Sequence, residues 1–201
     1  MTRASGPSAP LPPVAGGELD ELTLIRARRG DPSASRALFD HYKDLVFRYL
    51  WRMFGPRSTV AAIEDLTQDT FLRAFEALDR FSAAGPARLS TWLLTIATRV
   101  GLNEVRRQRR RGAGATVEID HDLLRSTARA DEAAERRALG ARIADALQDL
   151  PPEHRAVFIL REYHDLSYQE IASVLEIELG TVQSRLSRAR AALRAALEDI
   201  R

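Results

Sequence analysis

The chain contains no cysteine, which excludes disulfides, thiolate nucleophiles and cysteine-based zinc sites and suits a reducing compartment. Histidine is scarce too. His41, His121, His154 and His164 are scattered, with no pair at the three- or four-residue spacing that would place two metal ligands on one helix face. No apolar run approaches the roughly 20 residues of a membrane span, and the Pro-, Gly- and Ala-rich N-terminus lacks a signal-peptide core, so no membrane insertion and a cytoplasmic protein are expected. The sequence also lacks a phosphate-binding glycine loop, a nucleophile elbow and any histidine clustered with carboxylates, which argues against an enzyme and leaves no cofactor to expect. Aromatic residues make up only 6%, and lysine is almost missing: 29 of the 30 basic residues are arginine, Lys43 being the exception.

What is present is 45% hydrophobic and 29% charged, enough apolar material for packed cores and a balance typical of soluble helical proteins. With 201 residues the chain suits one large domain or two small ones, since domains commonly run to roughly 100–150 residues. The net charge of +2 is modest, so the distribution of arginine matters more than its sum. Arginine's planar fork fits phosphate and guanine, and a GC-rich coding bias is an equally good source of the excess.

Residues 1–18 carry four of the nine prolines and little apolar content, and are expected to form a disordered tail. A first helix is predicted over 19–29 on Leu22, Ile25 and Ala27, ended by Gly30-Asp31-Pro32. Leu38, Tyr42, Leu45, Val46, Tyr49, Leu50 and Met53 then recur at three- and four-residue steps, one buried stripe of a second helix that Gly55-Pro56 closes. A third, over about 61–78, buries Ile63, Leu66, Phe71, Phe75 and Leu78 and exposes Glu64, Asp65, Gln68 and Asp69 near its start. After the loop 82–89, Ser90 is predicted to cap a fourth helix bearing Trp92, Leu93, Ile96, Val100 and Val105, which runs into Arg106-Arg107-Gln108-Arg109-Arg110-Arg111. The pattern is all-α: a helical domain at 19–111, a flexible linker at 112–130 opened by Gly112-Ala113-Gly114, and a second helical domain at 131–201.

The second domain reads as a helix-turn-helix. Pro151-Pro152 marks a boundary, Val157, Phe158 and Leu160 a short helix, Ser167-Tyr168-Gln169-Glu170 a capping box, and 181–197 a last helix. Ile171, Ala172, Leu175, Val182 and Leu186 would fill the interior, Ala172 being small enough for close approach. Thr181, Gln183, Ser184, Arg185, Ser187 and Arg188 would then face base edges in the major groove, with Arg190 and Arg194 better suited to phosphates. The turn position after Leu175 holds Glu176 where a left-handed residue such as glycine is expected, a cost on the order of 1 kcal/mol. A stand-alone helix-turn-helix regulator, dimeric on a palindrome, is the alternative that this half alone permits.

The stretch Leu150 to Phe158, with Asp165-Leu166-Ser167-Tyr168-Gln169-Glu170-Ile171-Ala172 and Gly180-Thr181-Val182-Gln183-Ser184-Arg185-Leu186-Ser187-Arg188-Ala189-Arg190, closely resembles region 4 of bacterial RNA polymerase sigma factors. Glu64-Asp65-Leu66-Thr67-Gln68-Asp69-Thr70-Phe71-Leu72-Arg73-Ala74-Phe75, and Ser90 to Ala97 running on to Arg106-Arg107, resemble region 2. The order of the two matches, without a large domain between them, is similar to the extracytoplasmic-function group of the sigma-70 family. That resemblance implies an alternative sigma factor that directs promoter-specific transcription initiation. Its implied partners are core RNA polymerase (the largest-subunit coiled coil and the flap), promoter DNA and an anti-sigma factor.

By the same resemblance Asp65, Leu66, Gln68, Asp69 and Phe71 dock on the polymerase coiled coil; taken alone, these acids would be ordinary complements to a helix dipole. The loop 82–89 and the helix after it would read the minus-10 element through Arg88, Thr95, Arg99, Arg106 and Arg107, with Arg109 and Arg110 adding to a basic groove. Trp92 is assigned to core packing and not to base stacking. The family often carries Asn and then Asp where this chain has Arg99 and Asn103. The minus-35 element would be read by Thr181, Gln183, Ser184, Arg185, Ser187, Arg188 and Arg190. For Glu118, Asp120 and Asp122 in the linker two readings stand, an imitation of nascent RNA or a solvated tether.

Overall fold

The computed structural model describes residues 17–82, 87–112 and 130–198, side chains at 57 and 130–138 apart. The linker acids Glu118, Asp120 and Asp122 and the first sixteen residues of the expected tail lie outside them. Eight α-helices and two short 3-10 turns make up the ordered elements, with no strand among the described residues. They are α1 (Glu21–Arg28), α2 (Pro32–Phe54), α3 (Val60–Ala77), α4 (Leu89–Arg111), α5 (Ala130–Asp149), α6 (Pro152–Glu162), α7 (Tyr168–Leu175) and α8 (Leu179–Glu198).

Local chemistry starts most of these helices where the sequence places them. Asp31 caps α2, accepting from Ser33 N at 2.8 Å and Ala34 N at 3.1 Å, with Pro32 in the first helical position, where its missing N–H is harmless. Thr59 accepts from Ala62 N to start α3. Ser167 and Glu170 form the complete capping box of α7, at 3.2 and 2.8 Å. Ser167→Ala is expected to lower unfolding free energy by about 1 kcal/mol, read from urea denaturation, because Glu170 N loses its acceptor.

Two expectations differ, one in a helix face and one in a cap. In α1, Leu24 and Ala27 face inward while Leu22 is 66% exposed. In α4 the cap position belongs to Arg88, which makes no side-chain cap bond, and Ser90 lies inside the helix. Glu18 supplies the missing acceptor from outside. Its carboxylate takes hydrogen bonds from Ser90 Oγ at 2.5 Å and from the Tyr42 hydroxyl at 2.7 Å, so the end of the expected tail ties α2 to the start of α4.

Helices α1 to α4 bury Leu38, Tyr42, Val46, Tyr49, Leu50, Met53, Ile63, Phe71, Leu93 and Leu94 in one core. That core does not stop at α4. It continues without a break into Val157, Ile159, Leu160, Ile171, Val174, Val182 and Leu186, because α6 and α7 pack on α2 and α4. A smaller cluster of Leu147, Leu150, Ala189 and Leu193 joins α5 to α8.

The seam between the halves carries specific contacts besides apolar ones. Buried Arg155, in α6, donates to Met53 O at the end of α2 (2.5 Å), to Gln148 Oε1 and O (both 2.6 Å) and to Leu150 O (3.0 Å). Gly55 has a φ of 53° and packs so closely that a Cβ there would press on the end of the Gln148 side chain. The Arg52 guanidinium sits 4.2 Å from the centre of the Tyr163 ring, and Tyr49 lies 5.7 Å from His164, ring to ring.

Candidate nucleic-acid and polymerase interface

Along α4, residues 92, 95, 99, 103 and 106 follow one another at three- and four-residue steps and therefore share a helix face. Arg88, Arg99, Arg106 and Arg107 are exposed on or beside that row and Thr95 is half-buried, its hydroxyl bonded back to Thr91 O at 3.1 Å. Trp92 packs against Phe81, ring centres 5.3 Å apart, in the core role the sequence assigns it. Local partners hold two of these cations: Arg107 donates to Glu104 at 2.5 and 2.9 Å, which raises its pKa, and Arg106 donates to Asn103 at 3.3 Å.

Helix α8 turns Val182, Leu186, Ala189 and Leu193 inward, a three- and four-residue rhythm that leaves Gln183, Ser184, Ser187 and Arg188 on the outer face. Thr181 and Arg185 are half-buried beside them. Arg190 is held by Glu162 of α6 at 2.5 and 3.0 Å, an ion pair that raises its pKa and fixes the side chain at the flank of the outer face. His154, at the start of α6, has its pKa lowered by partial burial and by Arg185 and Arg188, so this corner of the helix-turn-helix is electropositive. Val174 is buried more deeply than Ala172 or Leu175, which are half-buried. Glu176 does adopt the left-handed conformation, φ 53° and ψ 48°, that the turn demands.

On α3, Asp65 and Gln68 are exposed, Leu66 and Asp69 are half-buried, and Asp69 accepts from Arg73 at 3.0 Å. Phe71 lies elsewhere: it is 2% exposed and packs edge-on to Phe39 at 4.8 Å, so it stiffens the helix from beneath and offers no surface of its own. The outward apolar group is Leu72, 64% exposed, four residues after Gln68 and seven after Asp65 on the same face. The sequence pattern passes over it because a lone exposed leucine breaks the buried stripe without announcing a role.

The two halves meet at these surfaces. Arg99 Nη2 lies 2.5 Å from Glu176 Oε1, joining the outward row of α4 to the turn that precedes α8, and more than half of each side chain remains exposed.

Comparison with known proteins agrees with this geometry. Residues 38–111 match the family model for sigma-70 region 2, and residues 140–193 match that for sigma-70, region 4. The extracytoplasmic-function sigma factor SigW of Bacillus subtilis is 30% identical over 184 residues, covering 88% of this chain and 96% of SigW. SigE of Mycolicibacterium smegmatis is 36% identical over 175 residues, covering 86% of this chain and 66% of SigE. The sigma factor RpoE of Bartonella quintana, solved with the anti-sigma factor NepR, shares the fold with a TM-score of 0.63 at 24% identity, covering 83% of this chain and 98% of that one. The chain belongs to the sigma-70 family, in its extracytoplasmic-function group. It is an alternative sigma factor that directs promoter-specific transcription with core RNA polymerase. No helix among the described residues is long and apolar enough to cross a membrane.

Proposed function

We propose that residues 19–111 and 131–201 are two promoter-reading domains joined by the linker 112–130. The first reads melted minus-10 DNA through Arg88, Thr95, Arg99, Arg106 and Arg107. The second reads duplex minus-35 DNA through Thr181, Gln183, Ser184, Arg185, Ser187 and Arg188, with Arg190 on a phosphate. The observation that carries this reading is the pair of outward polar rows, one on α4 and one on α8, in a chain that matches region 2 and region 4 at those places. Base edges demand the side-chain forks of α8, while unpaired strands need the cationic track of α4.

Core polymerase is held by the α3 surface of Asp65, Leu66, Gln68 and Asp69, with Leu72 as its apolar anchor and Phe71 as support from below. The second domain rests on the polymerase flap. An anti-sigma factor covers the chain until transcription is called for, as NepR accompanies RpoE. The chain works in the cytoplasm and contributes recognition, with no catalysis of its own.

Transcription reconstituted with sigma-free core polymerase on a promoter library tests this reading. Asp65→Arg is expected to abolish both polymerase binding and specific transcripts. Arg188→Glu is expected to keep polymerase binding while specific transcripts fall at least tenfold, the effect of losing about 1–3 kcal/mol of base discrimination together with a phosphate-side charge. Tight binding to a palindromic duplex without polymerase would instead identify a stand-alone regulator.

A further inference from the structure

The start of α4 carries a cation where a helix wants an acceptor. Arg88 occupies the cap position in extended backbone (φ −68°, ψ 155°), and a guanidinium only donates, so it cannot satisfy the N–H groups that the first turn leaves open. Serine, threonine or aspartate there would supply the acceptor but would remove a cation assigned above to minus-10 DNA. The acceptor comes instead from 72 residues away in the sequence: the Glu18 carboxylate takes a hydrogen bond from Ser90 Oγ at 2.5 Å and a longer one from Ser90 N at 3.4 Å. Its negative charge also suits the positive end of the helix dipole.

Glu18 is itself held in place. Its carboxylate also accepts from the hydroxyl of Tyr42, a fully buried residue of α2, at 2.7 Å. That hydroxyl accepts in turn from Leu19 N at 3.0 Å, and His41 Nε2 donates to Gly17 O at 3.0 Å, so three consecutive residues are fixed to α2. A second tie lies at the end of α1, where Arg28 donates to Phe81 O and its guanidinium lies 5.9 Å from the centre of the Phe81 ring. Phe81 packs on Trp92, at the first turn of α4. Residues 17–28 lie ahead of the stretch 38–111 that matches region 2.

We propose that Glu18 is a positioning residue for minus-10 recognition: it caps α4 from outside the helix and, with Arg28, fixes the direction in which Arg88 and the first turns of α4 meet the unpaired strand. This rests on the minus-10 reading of α4 given above. Side chains that are already ordered lose less freedom when a base arrives, so the sharpness of base choice depends on how firmly their backbone is held. Fraying of the first turn would release Arg88 first. Thr95 would follow, because its hydroxyl donates to Thr91 O, within that turn, at 3.1 Å. Glu18 acts through Ser90 and touches no DNA.

Amide hydrogen exchange in the full-length free chain and transcription by the holoenzyme test this together. Glu18→Ala is expected to speed exchange of the Trp92 amide, which closes the first turn onto Arg88 O, about three- to tenfold, the effect of losing one cap. On a promoter library randomised at both elements, the same variant should lower discrimination among minus-10 sequences about three- to tenfold, with minus-35 discrimination and polymerase affinity unchanged. Glu18→Gln, which keeps an acceptor oxygen, should recover most of both effects. Ser90→Ala should reproduce most of the loss and add little to it in the double variant. Unchanged exchange at Trp92 overturns the proposal, and so does an equal fall at both promoter elements, the mark of a chain that is only destabilised. Wild-type discrimination at minus-10 that Glu18→Ala retains in full overturns this proposal alone. A wild-type holoenzyme blind to the minus-10 sequence overturns the reading of α4 and this proposal with it.

Discussion

Replacing Arg155 with alanine is expected to lower the unfolding free energy by about 3 kcal/mol or more, because several acceptors lose the donor that they share, at about 1–3 kcal/mol for each one left buried without it. The guanidinium satisfies three backbone carbonyls, those of Met53, Gln148 and Leu150, together with the Gln148 side chain. Alanine takes the guanidinium donors away from the buried carbonyls of Met53 and Leu150 and from Gln148 together. Arg155→Lys should recover little, because one ammonium cannot reproduce a planar fork reaching α2, α5 and the α5–α6 turn together. Urea denaturation of the full chain reads the loss, and for a protein of this size it corresponds to a fall in Tm of about 10 °C. A loss below about 1 kcal/mol would mean that solvent reaches those carbonyls freely.

Acid should weaken the same seam well before most carboxylates titrate. His164 is largely buried beside Tyr49, its Nε2 without a hydrogen-bond partner among the described residues, and burial lowers its pKa to about 3, with Arg52 and Arg48 adding to the shift. The unfolded chain protonates this histidine at its ordinary 6.5, while the folded chain keeps it neutral. Stability is therefore full above the unfolded value and falls as pH drops from there toward the folded one. At pH 5 the loss amounts to about 2 kcal/mol relative to pH 8, from 1.36 kcal/mol per pH unit over about 1.5 units. His164→Phe, which keeps a ring against Tyr49, should remove most of that slope in urea titrations. The carboxylates of Asp20, Asp31 and Asp40 are all held below their ordinary values, Asp20 by hydrogen bonds from Thr23, Asp31 by those from Ser33 and Arg26, and Asp40 by those from Lys43 and Arg36, and they act in a separate and lower window, below about pH 4.

Much of the fold is readable from local chemistry. The α2 stripe, the α7 capping box and the inward rhythm of α8 depend on residues three or four positions apart, and the sequence displays such patterns directly. Where local signals are even, packing between distant segments decides. In the eight residues of α1, Leu22 with Ile25 and Leu24 with Ala27 are both three-residue pairs, and only packing against α2 decides between them. Ser90 has cap chemistry, yet Glu18 reaches it from a distant part of the chain and the cap lies two residues earlier, at Arg88. Phe71 fits both a docking motif and a buried stripe, and its edge-on contact with Phe39 settles where it points.

The seam itself was not readable. The Arg155 contacts with the end of α2, the Gly55 wedge against Gln148 and the Arg99–Glu176 pair all join segments remote in sequence, and no spacing rule links them. For the candidate sites, the outward faces of α4 and α8 follow from periodicity, whereas the partners that restrain Arg99 and Arg190 do not.

The fit of Gly55 against Gln148 also bears on how such a chain can change by recombination. A side chain at position 55 would press on the glutamine of the other half, whose side chain would have to move aside, and it would have to adopt a positive φ that favours glycine. Sigma factors with two recognisable halves invite treatment as interchangeable modules, yet a chimera taking its first half from one relative and its second from another would set an unmatched pair across this seam. Compatibility between the halves is thus a heritable property of the pair, separate from the DNA that either one reads.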